Sequence, residues 1–197
     1  MPYKTVRLNC PGCGWPVSVG MKECPAGHPL NISTFNNVYD MPLPLVNMYA
    51  NTYKNELANN PTDKELNNSI AICYLKLKLY DKALEAFETA IESSFDNSEM
   101  LFYAAIALLK GRKAFLSSRT NIDKAVEYIN AALMIEPKGI YYYLLAYIKY
   151  DFFERKFLNT SPDYKQTLEM ARTIGLSDYD VHMLYSILNV ECPTALQ

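Results

Sequence analysis

Residues 64–97 contain two runs of apolar side chains at helical spacing. The apolar positions are Ile70, Ala71, Tyr74, Leu77 and Tyr80, followed by Ala83, Phe87 and Ala90. Apolar side chains that recur every three or four residues form one stripe along a helix, so this segment predicts two helices packed as a hairpin. A single hairpin cannot bury the apolar faces of both helices by itself. Neighbouring hairpins must therefore stack on this one, and we expect an all-α chain.

This spacing resembles the tetratricopeptide repeat (TPR), a helix–turn–helix unit with a period of about 34 residues. The resemblance extends over residues 45–190. It comprises a half repeat at 45–58, the full repeat at 64–97, and two stretched repeats that begin near Ser98 and Ile140. The resemblance implies a TPR-like array of helical hairpins, an α-solenoid.

The remaining residues divide the chain further. Residues 1–34 are predicted to form a small separate module, residues 35–44 a linker without a helical pattern, and residues 191–197 a tail. A last helix from Ser177 to about Val190 should close the array, because terminal repeats usually need an atypical capping element.

Short polar residues indicate where several helices begin. The predicted N-caps are Thr62 with Glu65, Thr120 with Asp123, Ser161 before Pro162, and Ser177 with Asp180. A side-chain oxygen at such a position accepts a hydrogen bond from a free backbone N–H group of the first turn. Gly175 is expected to end the helix before Ser177. The surplus residues 110–121 in the second repeat either lengthen its first helix or form a loop.

The first thirty residues contain two half-sites for a metal ion. Cys10-Pro-Gly-Cys13 is one, and Cys24-Pro-Ala-Gly-His28 is the other. A tetrahedral zinc ion takes four thiolate or imidazole ligands, commonly supplied as two close pairs. The pattern resembles a zinc ribbon or knuckle of the Cys3His type. Four protein ligands leave no position for water, so we expect a structural zinc ion.

Glycines adjoin both half-sites. Gly14 and Gly27 are placed for a positive φ, which glycine adopts at no steric cost. Gly27 also stands where the commoner pattern has its fourth cysteine, so His28 must supply the fourth ligand. Two other interpretations of these cysteines compete with a zinc site. They could form a redox dithiol, although the sequence shows no βαβ pattern around them, or they could be unrelated buried thiols.

Cysteine usage and hydropathy place the chain in a broad class. The five cysteines form no regular framework, which argues against a secreted disulfide scaffold. The N-terminus lacks the apolar run of a signal peptide. The longest apolar stretch, residues 140–148, is far shorter than the roughly 20 residues of a membrane span. We expect a soluble, cytoplasmic protein that does not enter membranes.

No arrangement of residues indicates catalysis. The sequence has no Gly-rich phosphate loop and no Gly-x-Ser-x-Gly turn. Apart from His28, the remaining histidine is His182, which lies on a helix with apolar neighbours and is interpreted as a packing or surface residue. We therefore expect that the chain is not an enzyme.

In TPR proteins the first helices of the repeats line a concave face that commonly binds peptides or partner segments. The resemblance places ten residues of this chain near that face: Glu65, Asn68, Ile72, Phe102, Tyr103, Ile106, Tyr141, Leu144, Leu145 and Ile148. Aromatic and aliphatic side chains there favour apolar contacts with a protein or peptide partner. The alternative is that the last helix folds back and fills the groove, so that these residues belong to the core.

A basic segment supports a second interpretation. Its residues are Lys110, Arg112, Lys113, Arg119 and Lys124, and the N-terminal module adds Lys4, Arg7 and Lys22. Such a run is usually a solvated face, and the formal net charge of −2 gives no general attraction to nucleic acid.

The sequence thus favours a protein–protein adaptor with a zinc module. A nucleic-acid-associated factor and an enzyme accessory subunit are the alternatives.

Overall fold

The computed structural model describes residues 8–18, 21–93 and 95–197, which are mainly helical. Its strands are β1 (Leu8–Asn9) and β2 (Pro16–Val17). Its helices are α1 (Asn36–Tyr39), α2 (Leu43–Leu57), α3 (Lys64–Lys76), α4 (Tyr80–Ser93), α5 (Ser98–Leu108), α6 (Arg119–Ile135), α7 (Gly139–Ile148), α8 (Tyr164–Ile174) and α9 (Asp178–Leu188). Lys4 and Arg7, named above as basic residues of the N-terminal module, lie outside the described residues.

Consecutive helices pack on one another in chain order. The hairpins α3–α4, α5–α6 and α7–α8 are the three full repeats, and α2 packs on α3 in front of them. The apolar stripe of α4 explains this arrangement, because Ala83, Phe87 and Ala90 are all fully buried. The predicted all-α, TPR-like fold is confirmed.

The first helices of the second and third repeats are buried on nearly every side. In α5 every residue from Met100 to Leu108 is buried, and in α7 the same holds from Tyr143 to Ile148. A helix that is apolar all round must be covered from several directions. Other parts of the chain therefore cover the faces of α5 and α7 that their own hairpins leave open.

Two of the predicted helix ends are correct. Ser177 accepts a hydrogen bond from the backbone N–H of Asp180 at 3.1 Å and begins α9. Gly175 ends α8 with a φ of 114°. Each of these positions holds a residue of the type preferred at that helix end, serine at an N-cap and glycine after a C-terminus.

The other three N-caps are different from those predicted. Asp63, not Thr62, caps α3 by accepting from Leu66 N–H at 2.9 Å. Ser118, not Thr120, caps α6. Asp163, not Ser161, caps α8 in a reciprocal pair with Gln166. In each case a second good acceptor lies within two residues of the predicted one, so the local pattern alone does not decide between them.

The surplus residues of the second repeat form a loop and do not extend α5. Lys110 and Gly111 take left-handed conformations with φ of 54° and 65° and turn the chain away from α5. A short 3-10 helix, Ala114–Leu116, follows before α6. A β-carbon at Gly111 would lie 2.5 Å from the Tyr80 ring, so this turn depends on glycine.

The predicted linker packs into the helical core. Residues 35–44 include the single turn α1, and α2 begins at Leu43, whereas no helix was expected before residue 45. Phe35 and Val38 are buried because their three-residue spacing puts both on one face of that turn. The tail also returns to the core, where the Leu196 carbonyl accepts a hydrogen bond from Tyr143 at 3.2 Å. The domain boundaries themselves stay a prediction.

Among the described residues, no helix combines the length and the apolar character that crossing a membrane would require.

Candidate metal centre and concave face

The first half-site is a tight turn between two short strands. β1 pairs antiparallel with β2, and Cys10 N–H donates to the Trp15 carbonyl at 2.8 Å. Gly14 N–H donates to the Cys10 carbonyl at 2.7 Å, and Gly14 has the predicted positive φ, 72°. The strand and turn thus direct Cys10 and Cys13 to the same point.

The second half-site repeats this geometry. Gly27 N–H donates to the Cys24 carbonyl at 2.8 Å, and Cys24 N–H donates to the His28 carbonyl at 2.9 Å. Gly27 has a φ of 76°, as predicted. This second turn brings His28 next to Cys24, one residue beyond the usual position of a fourth cysteine.

The four predicted ligands converge. The ligand atoms of Cys10, Cys13, Cys24 and His28 all lie within 4.8 Å of one another. Cys13 Sγ is 3.8 Å from Cys24 Sγ, and Cys24 Sγ is 3.6 Å from His28 Nδ1. A tetrahedral zinc ion at about 2.3 Å from sulfur and about 2.0 Å from nitrogen would place its ligand atoms about 3.5–3.8 Å apart. This donor set could therefore hold a metal ion, and its chemistry and spacing fit zinc.

The two buried thiols differ in acidity. Burial raises the pKa of Cys10 to about 11. Burial also disfavours the Cys24 thiolate, but hydrogen bonds from the backbone at His28 and Ala26 outweigh it and lower the pKa of Cys24 to about 7. Cys24 is therefore close to the thiolate form that binds a metal ion.

The Cys/His unit packs on α2, the helix that precedes the first full repeat. Tyr49 on α2 donates its hydroxyl proton to the Pro29 carbonyl at 2.7 Å. Thr52, one turn later, donates to the Pro11 carbonyl at 3.3 Å. The Tyr49 ring also lies so close to Gly12 that a β-carbon there would approach it to 2.9 Å. Both half-sites thus rest on the same face of α2. The sequence placed Tyr49 in a helix but gave no sign of these contacts.

The predicted concave-face residues are buried, apart from Glu65, which is exposed. The buried set is Asn68, Ile72, Phe102, Tyr103, Ile106, Tyr141, Leu144, Leu145 and Ile148. Two segments of the chain cover this face. They are the segment around α1, which was predicted as a linker, and the last helix, α9. The role of these residues in partner binding stays a prediction.

The segment before α2 reaches across the array. Phe35 N–H donates to the Tyr103 hydroxyl at 3.3 Å, and the two rings lie 6.1 Å apart. Asn68 on α3 donates to the Ser33 carbonyl at 3.3 Å. These contacts place residues 33–35 against the first helices of two successive repeats.

The last helix lies along the same face. Tyr185 packs edge-on against Tyr147 at 5.9 Å, and its hydroxyl is 3.3 Å from that of Tyr143. Tyr80, at the start of α4, donates to the Ile187 carbonyl at 2.9 Å. Near its N-terminus, Tyr179 contacts the Tyr39 ring at 5.8 Å, so the two covering segments meet. His182 is exposed on α9, which agrees with its interpretation as a packing or surface residue.

A cavity of about 340 Å³ is left between these elements. Phe102, Tyr103 and Tyr141 form part of its wall, together with apolar residues of α9. Glu99 and Lys138 also line it, 3.2 Å apart as an ion pair. The covering segments therefore leave an aromatic cavity on the concave face, with the charged side chains of Glu99 and Lys138 beside it.

The basic segment is largely neutralised by acidic neighbours. Lys110 pairs with Asp81 at 2.5 Å and Arg119 with Asp123 at 2.8 Å. Lys124 pairs with Glu88. Arg112 and Lys113 are exposed. Three of the five cations thus lie beside acidic side chains, and binding of nucleic acid by this segment stays a prediction.

The fold is similar to that of MamA, a TPR-repeat protein. The structure of MamA MSR-1 in a C2 crystal matches with a TM-score of 0.50 and 15% identity, over 71% of this chain and 82% of that chain. MamA AMB-1 in a P212121 crystal matches with a TM-score of 0.52 and 16% identity, over 75% and 84%. No protein-family model matches the chain, and no curated protein matches it in sequence. At these identities the likeness shows a TPR-like helical fold.

Proposed function

We propose that the chain is a non-enzymatic adaptor that binds a protein or peptide partner at its concave cavity. A structural zinc ion, held by Cys10, Cys13, Cys24 and His28, would fix the N-terminal unit on α2. The observation that carries the binding proposal is the aromatic cavity formed by Phe102, Tyr103 and Tyr141.

The cavity suits one apolar side chain with a polar neighbour. Tyrosine and phenylalanine offer large contact areas at a low cost in conformational entropy. The Glu99–Lys138 pair lies within reach of the same opening and can bond to the backbone or polar groups of a partner. Such a small pocket accepts one anchoring residue of a partner, and the rim supplies the remaining contacts.

The zinc ion would act on this cavity through the chain that links the two sites. Residues 31–41 run from the Cys/His unit to α2, and Thr34 and Asn36 lie at the cavity. A fixed metal unit therefore holds one wall of the cavity in place.

Rim substitutions test the binding site better than core substitutions. Phe102 and Tyr141 are only 4% and 1% exposed, so their removal would also lower stability. Asn36 is exposed and lines the cavity. Asn36→Arg should place a long cation over the opening without disturbing the core. Asn51→Arg, on an exposed position of α2, is the matched control.

The test is recovery of a partner from native lysate by the tagged full chain. The wild type and Asn51→Arg should retain the same partner, and Asn36→Arg should lose most of it while keeping the thermal midpoint of the wild type. Equal recovery by Asn36→Arg would contradict binding at this cavity.

A further inference from the structure

A second and larger cavity, of about 700 Å³, lies between α6, α7 and α8. Its apolar wall includes Val126, Leu133, Leu145 and Phe153, and the partly exposed Met170 lies at its edge. Neither α1 nor α9 contributes to it. The covering segments that fill the concave face therefore leave this cavity open.

Lys149 lines this cavity and is unusual in its surroundings. Lys149 is buried, with only 9% of its surface exposed. The ammonium donates to the Pro162 carbonyl at 2.6 Å and to Thr167 Oγ1 at 2.9 Å. Both acceptors are neutral, and an ammonium has three N–H donors. The described residues therefore leave one of its donors for a further acceptor.

Within the described part of the chain, none of the ion pairs includes Lys149. The negative charge of Asp163 favours the charged form of Lys149. However, Asp163 is not bonded to Lys149, and its Oδ1 accepts a hydrogen bond from Gln166 N–H at 2.8 Å as the cap of α8. Burial lowers the pKa of Lys149 despite Asp163. A buried cation without a bonded anion is costly, and a negatively charged ligand would remove that cost.

We propose that this cavity binds a small aliphatic monocarboxylate, of the fatty-acid class, with its carboxylate on Lys149 and its tail along the apolar wall. The site goes beyond the proposed adaptor function and uses none of the concave-face residues except Leu145.

The donor set favours a carboxylate over a phosphate. A phosphate carries more charge and is usually bound by several cations or backbone N–H groups. Here Lys149 is the one buried cation, and Arg119 at the edge is already paired with Asp123 at 2.8 Å. One ammonium matches one carboxylate. Flexible methionine side chains such as Met170 can adapt to an aliphatic tail.

A purely structural role for Lys149 is the competing interpretation. Its two hydrogen bonds tie the segment before α8 to α8 itself, through Pro162 and Thr167. That role predicts a change in stability on substitution but no preference for a charged ligand. The two interpretations therefore differ in ligand selectivity.

The experiment compares decanoate with uncharged 1-decanol by calorimetric titration of the full chain. The wild type should bind decanoate about tenfold or more tightly than 1-decanol, since hydrogen bonds to charged groups are the stronger ones. Lys149→Gln retains an N–H donor but loses the charge, so this variant should bind decanoate and 1-decanol with about equal affinity. Lys165→Gln, on an exposed position of α8, should keep the preference.

Three results would overturn the proposal. They are absence of decanoate binding to the wild type, equal affinity of the wild type for both ligands, and a preference that persists in Lys149→Gln. A lower thermal midpoint of Lys149→Gln with an unchanged preference would assign Lys149 the structural role alone.

Discussion

The hydroxyl of Tyr49 donates a 2.7 Å hydrogen bond to the carbonyl oxygen of Pro29, the residue that follows the candidate ligand His28. Tyr49 is fully buried on α2. This bond connects the metal unit directly to the core of the helical array. The stability of the array and the retention of the metal should therefore depend on each other.

Tyr49→Phe removes this bond and leaves the Pro29 carbonyl without its partner. We expect a loss of about 1–2 kcal/mol in the free energy of unfolding and faster release of zinc to a chromogenic chelator. Tyr53→Phe is the matched control, because the buried Tyr53 hydroxyl has no partner at normal hydrogen-bond geometry among the described residues. Tyr53→Phe should be neutral or slightly stabilising. Equal effects of the two substitutions would contradict the proposed coupling.

The start of α3 allows a direct comparison of two adjacent caps. Asp63→Ala should cost about 1 kcal/mol, because Leu66 N–H loses its acceptor. Thr62→Ala should change stability by much less, since Thr62 lies outside the helix. Urea unfolding of both variants measures the difference. A larger loss in Thr62→Ala would favour the cap predicted from the sequence.

The contact between the start of α7 and the end of α8 depends on Gly139. A β-carbon at Gly139 would lie 1.9 Å from the Gly175 carbonyl oxygen, which belongs to the backbone and cannot turn aside. Gly139→Ala should therefore cost about 3 kcal/mol or more. Gly14→Ala meets no atom within 4 Å but has a φ of 72°, so it should cost only about 1–2 kcal/mol. Thermal unfolding that ranks the two variants the other way would contradict the α7–α8 packing.

Thiol reactivity should distinguish three groups among the five cysteines: the three candidate metal ligands, the buried Cys73 and the half-buried Cys192. Burial raises the pKa of Cys73 to about 12, so at pH 8 it is almost entirely the unreactive neutral thiol. With zinc bound, only the half-buried Cys192 should react quickly with an aromatic disulfide reagent. A chelator should expose Cys10, Cys13 and Cys24, and Cys73 should react only after unfolding. Rapid reaction of Cys73 in the folded chain, or a fast reaction that persists in a zinc-loaded Cys192→Ser variant, would contradict this assignment.

Local sequence patterns predicted the repeats, and they predicted that the four candidate ligands would lie together. Ala83, Phe87 and Ala90 repeat within a few residues of each other, so the burial of α4 follows from the spacing alone. The same is true of Cys10 with Cys13 and of Cys24 with His28, where two short turns and their glycines fix the geometry.

Contacts between distant parts of the chain could not be predicted in this way. Phe35 meets Tyr103 across 68 positions, and Tyr80 meets Ile187 across 107. No periodic pattern encodes such pairs, because they depend on how far the array curves. The covered concave face and the packed linker were therefore not predicted, except as the open alternative that the last helix fills the groove.

The zinc content of the purified full chain tests the central claim most directly. Elemental analysis of the wild type should give about one zinc ion per chain, because four converging protein ligands complete the coordination of zinc. His182→Ala, which removes an exposed histidine elsewhere, should keep that value, and His28→Ala should lose most of it. Less than about half an equivalent in the wild type, or full retention by His28→Ala, would contradict the Cys3His site.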